Sequence, residues 1–189
     1  MNKILVNYST EAVAAYQIVS RLDMLLFMPI LGIAISLTTI VGMFYGAKEF
    51  DKLLSVVNYG INRAVLITTI SVIFFFVLAS NILPIFSSNP LVIDIGVTYL
   101  KIIILVYPAV GISVICSRVC QALGQGMPLL ITTITRVIIL TAPLSYYFYF
   151  TGRPIEWVWF SQVFAILIAA TISFAWMRYY FRKFNIVRN

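Results

Sequence analysis

The sequence predicts an all-α, polytopic membrane protein with five transmembrane helices. Three observations carry that prediction. Of the 189 residues, 62% are hydrophobic and 10% charged, against the ~25% charged that is usual in soluble domains. A soluble domain of this size has no interior that could hide so much apolar surface. The apolar residues also gather into five runs, each near or above the ~20 residues a membrane helix needs. The runs are continuous rather than alternating, which argues against a membrane β-barrel.

The first run covers 24–47 and extends back to about Glu11, because Ser9 and Thr10 are good helix N-caps. The second covers about 64–86 and the third about 101–123, with Arg118 inside it. The fourth covers 128–150, with Arg136 inside it, and the fifth 157–177. The connections carry turn chemistry: GAKEFDK at 46–52, SSNP at 87–90, GQGMP at 124–128 and TGRP at 151–154.

The net charge of +7 would suggest nucleic acid in a soluble protein. Here the cations flank apolar runs, so they read as topology signals and no nucleic-acid partner is expected. Lys48, Lys52, Arg63, Arg118, Arg178, Arg182, Lys183 and Arg188 fall on one side; Lys3, Lys101 and Arg153 fall on the other. That excess puts the C-terminus in the cytoplasm, and five spans then put the start of the chain outside. The opening MNKILVNYST is too short and weakly charged for a signal peptide. An odd number of upstream helices is therefore expected, and the chain reads as a fragment.

The absence of histidine removes Ser-His and Cys-His catalysis and histidine proton relays. Cys116 and Cys120, four apart in an apolar run, are too few for a metal site and read as buried packing residues. There is no phosphate-cradling glycine loop, so no ATP-driven motor is expected; with no histidine and no acid pair to partner a nucleophile, no enzyme is expected either. Aromatic residues 146–150 with Trp157, Trp159 and Phe160 read as an outer interfacial belt; Trp176, Tyr179, Tyr180 and Phe181 read as the inner one.

Inside the spans, Pro29, Pro108 and Pro143 each remove a backbone hydrogen bond and favour a kink. PILGI at 29–33 and PAVGI at 108–112 form a weak internal echo of the kind a duplicated helix pair would leave. The sharper signal is charge. Asp23 lies about 18 Å along a helix starting at Glu11, and Arg21, two residues earlier, cannot face it. A charge at membrane depth costs at least ~2.5–3.5 kcal/mol unless it faces a bundle interior or a watery cavity. Solvation near the outer headgroups is the plainer alternative. Arg136 stretches snorkelling and reads as a structural charge or an anion contact. Gln17, Asn58, Asn62 and Gln121 are amides of the kind that join helices.

The stretch EAVAAYQIVSRLDMLLFMPILGIAISLTTIVGMFYGAKEFDK, residues 11–52, resembles the eighth helix of the multidrug and toxic compound extrusion (MATE) transporters. The likeness rests on Ala12 to Tyr16, Arg21-Leu22-Asp23, Pro29 to Ile33, and Gly42 with Gly46-Ala47. The stretch from Tyr107 to Phe148 resembles the tenth and eleventh helices, with Arg136 and Pro143-Leu144-Ser145-Tyr146 matching the family pattern. The resemblance implies helices eight to twelve of a twelve-helix, two-lobed exporter: most of one six-helix lobe, over residues 1–189, with the N-terminal lobe and the seventh helix elsewhere. It implies proton- or sodium-coupled antiport of amphipathic, cationic, drug-like compounds by alternating access, in the inner (plasma) membrane among its lipids, without a bound cofactor. Two features depart from the family. The carboxylate that some branches carry in the middle of the tenth helix is absent from Tyr107 to Gly111, other branches placing theirs in the first lobe, and the loop that often reads R-G-x-G-D is here Gln121-Ala122-Leu123-Gly124-Gln125.

The candidate pathway residues are Asp23, Arg21, Gln17, Met24, Met28, Tyr107 and Ser113. Two alternatives stand beside the exporter. One is a flippase for lipid-linked oligosaccharides, using Arg21 and Arg136 for pyrophosphate. The other is a truncated, non-transporting membrane protein.

Overall fold

The computed structural model of the chain describes residues 2–186. Arg188, one of the cations in the topology argument, lies outside the described residues, as does the side chain of Lys3. In chain order the helices are α1 (Asn2–Leu5), α2 (Thr10–Gly46), α3 (Phe50–Phe86), α4 (Pro90–Ile104) and α5 (Tyr107–Ala122). Then follow α6 (Met127–Ile134), a π-helical segment (Thr135–Thr141), α7 (Ala142–Phe150) and α8 (Ile155–Lys183). Among the described residues there is no strand. α2, α3, the continuous Met127–Phe150 unit and α8 are each long and apolar enough to cross a membrane. α4 and α5, bent by 51° at their junction, are together long and apolar enough to form a fifth span.

Local chemistry accounts for the ends. The Ser9 hydroxyl accepts from the Ala12 amide at 3.0 Å and caps α2, as the sequence predicts. The Asn89 side chain caps α4, whose first residue is Pro90. α5 closes through Gly124 at φ +80°, which lets the Gln125 amide reach the Cys120 carbonyl at 2.9 Å.

Two predicted boundaries move. α3 begins at Phe50 rather than near 64. Asn58, Asn62 and Arg63 interrupt the apolar count there, but they sit on exposed faces of an unbroken helix. The third span begins at Pro90 rather than at 101, because Asp94 and Lys101 fall inside α4. A helix of 37 residues is about 55 Å long, so α2 and α3 outrun the ~30 Å hydrocarbon layer.

α5 packs on α2, α3 and α8, and α2 packs against α3 and α4. Close approach is set by small residues. A Cβ at Gly60 would overlap the Leu37 side chain, and one at Gly96 would lie 3.0 Å from Leu83 Cδ2. Hydroxyls tie the remaining helices together. Ser173 of α8 meets Ser113 at 3.1 Å, Ser117 at 3.2 Å and Thr132 at 3.4 Å. Ser145 of α7 meets Ser161 of α8 at 2.8 Å.

The apolar core is uneven. A large cluster at the Gly46 end includes Val41, Leu53, Ile115, Val119 and Phe181. A second at the opposite end includes Val19, Leu83, Leu100, Val106 and Trp159. A third, smaller cluster holds Leu26, Ile30, Ile104 and Tyr107, with a few partly buried neighbours. Cys116 and Cys120 are buried in the first cluster, as predicted. Trp159 departs from the predicted belt. It is buried, stacked on Tyr16 at 6.2 Å and tilted against Tyr99 at 4.2 Å between ring centroids.

Gly60→Val should destabilise the α2–α3 contact by ~1–3 kcal/mol, the usual cost of overpacking. Unfolding in detergent measures it, and adding Leu37→Ala should recover part of the loss because the overlap is with that one side chain.

Candidate functional site

The thin middle of the core coincides with the two places where the helical ladder is irregular. One is the α4–α5 break. Val106, between the helices, is buried, and Pro108 occupies the first turn of α5. The other is the π-helical segment before Pro143. The proline has no N–H to donate, and its ring crowds the preceding turn, so residues 135–141 take wider i→i+5 hydrogen bonds. Within this segment the Thr141 hydroxyl donates to the Arg136 carbonyl at 2.7 Å. Pro29, by contrast, is accommodated within an unbroken α2.

A cleft of about 440 Å³ opens beside both irregularities. α2 supplies Tyr16, Ser20, Asp23, Met24 and Phe27 to its wall, a helical stripe of i, i+4, i+7, i+8 and i+11 spacing. α4 and α5 supply Ile103, Tyr107 and Val110. The fourth span supplies Arg136, Val137 and Thr141, and α8 supplies Gln162 and Ile166. A smaller hollow of about 210 Å³ shares Phe27 and Arg136 with it and continues toward Ser113, Ser117 and Arg118. The two make one groove along α2 and the fourth span.

The central contact joins Asp23 to Tyr107. The Tyr107 hydroxyl donates to Asp23 Oδ1 at 2.7 Å, and lies 3.4 Å from the Asp23 carbonyl. Tyr107 is buried, so this contact crosses from α2 to the first turn of α5 within the packed interior. Arg136 faces the same cleft, half-buried. Among the described residues neither charge has an ion-pair partner; the Lys52–Glu49 contact at 2.9 Å is a separate surface pair. Gln162 accepts from the Tyr99 hydroxyl at 3.3 Å, while its Nε2 is buried without a partner among the described residues. The cleft thus offers one carboxylate, one guanidinium, an amide and aromatic and methionine surface. Among the described residues no cluster of histidine, cysteine or acidic side chains is arranged to hold a metal ion.

Of the seven residues singled out in the sequence, Asp23, Tyr107 and Met24 come together in this cleft. Gln17, Arg21 and Met28 do not line it; they continue the exposed stripe of α2 on which Met24 marks the cleft's edge, and Met28 is 57% exposed. Ser113 lies lower in the groove, within the serine contacts that join α5 to α8. Tyr16, Ser20, Thr141 and Gln162 were not anticipated, and Arg136 was set down as a structural charge or an anion contact. The i, i+4 and i+7 stripe of polar residues through 16, 20 and 23 was the available signal on α2. No sequence pattern points to Gln162.

Tyr107→Phe removes the hydroxyl and leaves Asp23 without its partner. A hydrogen bond to a charged group contributes ~1.5–3 kcal/mol, so the variant should unfold more readily by that order. Denaturation in detergent with helicity as the readout measures it, and an unchanged midpoint would contradict the contact.

The comparisons with known proteins agree with this architecture. The MatE family profile matches residues 1–147. A probable multidrug resistance protein, NorM of Thermotoga maritima, is 27% identical over 143 residues, which is 76% of this chain and 31% of that protein. A second probable multidrug resistance protein, YoeA of Bacillus subtilis, is 24% identical over 96% of this chain and 40% of its own length. An outward-facing multidrug resistance MATE family transporter of the MOP superfamily superposes with a TM-score of 0.90 at 25% identity, covering all of this chain and 42% of that one. The chain therefore spans less than half the length of the proteins it matches. With a family match over most of its residues, and helices long and apolar enough to cross a membrane, the chain belongs to the MatE family.

Proposed function

We propose that this chain forms the carboxyl-terminal lobe of a two-lobed, cation-coupled exporter of amphipathic cationic compounds, with the Asp23–Tyr107 pair as its coupling centre. The observation that carries this reading is the Asp23 carboxylate on the wall of a cleft within the helical bundle, held by one tyrosine hydroxyl and, among the described residues, by no cation. Of the six acidic residues it is the one distant from every helix end. A carboxylate so placed is costly when charged and alone, and a proton, a sodium ion or a cationic substrate each relieves that cost. Competition for one carboxylate is what antiport requires. Broken helices at the bilayer midplane are where secondary transporters place such sites, and the α4–α5 break adjoins this one.

The apolar and aromatic part of the wall suits the hydrophobic portion of an amphipathic drug. The exposed α2 face carrying Gln17, Arg21 and Met28 is taken as the surface that meets the rest of the transporter. The C-terminus is placed in the cytoplasm and the Thr10 end of α2 outside, on the distribution of Lys and Arg.

The test is efflux by the complete two-lobed transporter carrying Asp23→Asn. Asparagine keeps an acceptor for Tyr107, so the fold is spared. Cation-dependent efflux should fall at least ~10-fold, equivalent to ~1.4 kcal/mol; efflux that keeps its ion dependence removes Asp23 from coupling.

A second reading rests on Arg136 in the same cleft. A guanidinium there suits the pyrophosphate of a lipid-linked oligosaccharide, as a flippase would need. Arg21, the other cation considered for it, does not line the cleft. Arg136→Gln should abolish flipping if that reading holds and leave drug efflux largely intact if it does not.

A further inference from the structure

We propose that the groove between the amino-terminal part of α3 and the last turns of α8 binds an anionic phospholipid, with Arg178 and Arg182 holding the headgroup phosphate. The groove has a volume of about 430 Å³. Leu54 and Ile61 of α3 face Met177 and Phe181 of α8 across it, and the two arginines sit on its edge. Arg178 and Arg182 are four apart, on one face of α8. Both are exposed, and among the described residues neither has a carboxylate partner. Arg178 Cζ rests 4.8 Å over the Phe174 ring, also part of the groove, which restricts the guanidinium to this side of the helix. Glu49, close in sequence to this part of α3, is engaged by Lys52 at 2.9 Å.

The depth fits a lipid. Arg178 lies about 35 Å along α8 from Ile155, and Ile61 about 38 Å along α3 from Phe86, at 1.5 Å per residue. Both distances exceed the ~30 Å hydrocarbon thickness and fall at headgroup level. A guanidinium pair binds phosphate oxygens with a directed fork, unlike the point charges of Lys48, Lys52 and Lys183. The walls below are apolar and suit acyl chains, which a soluble anion would not use. Basic pockets between membrane helices are where anionic headgroups lodge. The inference needs the membrane embedding but not the transport reading, so each can fail without the other.

The experiment is native mass spectrometry of the full-length protein in mild detergent, with phosphatidylglycerol and phosphatidylcholine of identical acyl chains. The wild type should retain phosphatidylglycerol ~10-fold better, equivalent to ~1.4 kcal/mol. Arg178→Gln with Arg182→Gln should abolish that preference, while Lys48→Gln with Lys52→Gln, a charge-matched change outside the groove, should leave it. Arg178→Lys with Arg182→Lys should keep a weakened preference, and it serves if the glutamine pair does not fold. Equal retention of the two lipids by the wild type would overturn the proposal. So would equal loss from the two glutamine pairs, which marks diffuse surface charge, or displacement of phosphatidylglycerol by excess inorganic phosphate, which marks a soluble-anion site.

Discussion

In hydrocarbon no water is available to satisfy a backbone amide or carbonyl, so a chain can cross only where its own hydrogen bonds are complete. That constraint explains most of this structure. α2, α3 and α8 run unbroken for 37, 37 and 29 residues. The irregular backbone within the spans is confined to the α4–α5 junction and the π-helical segment before Pro143. Both adjoin the cleft that holds Asp23, Tyr107 and Arg136. There a side chain adds to the backbone ladder, the Thr141 hydroxyl donating to the Arg136 carbonyl. The same departures that interrupt the ladder aim polar side chains inward.

Packing is distributed to match. Two apolar clusters clamp the helices near their ends, and the layer between them is thin. The Tyr107–Asp23 hydrogen bond crosses from α2 to α5 in that layer. Protonating or ion-binding the carboxylate would therefore change one of the few specific ties at mid-depth, while the end clusters held the helix ends in place. The serine contacts joining α5, α6, α7 and α8 use short side chains, which keeps those helices close without filling the groove.

The sequence by itself determined the class, the number of spans and the family likeness, because hydropathy is a local property and the bilayer reads it locally. The Ser9 cap and the burial of both cysteines were legible for the same reason. It placed α3 fourteen residues late, since Asn58, Asn62 and Arg63 end an apolar count without ending a helix. Tertiary structure alone decided which face of each helix points where. Asp23 and Gln17 lie on one helix, yet one lines the cleft and the other lies exposed. Trp159, two residues from exposed Trp157, is buried against Tyr16 and Tyr99. Arg136 reaches the carboxylate's cleft because Pro143 shifts the preceding turns into π register and α8 holds the fourth span against α5. Facing is fixed by contacts between residues as far apart as 23 and 107, or 99 and 162. No local pattern encodes such pairs; the packing of whole helices does.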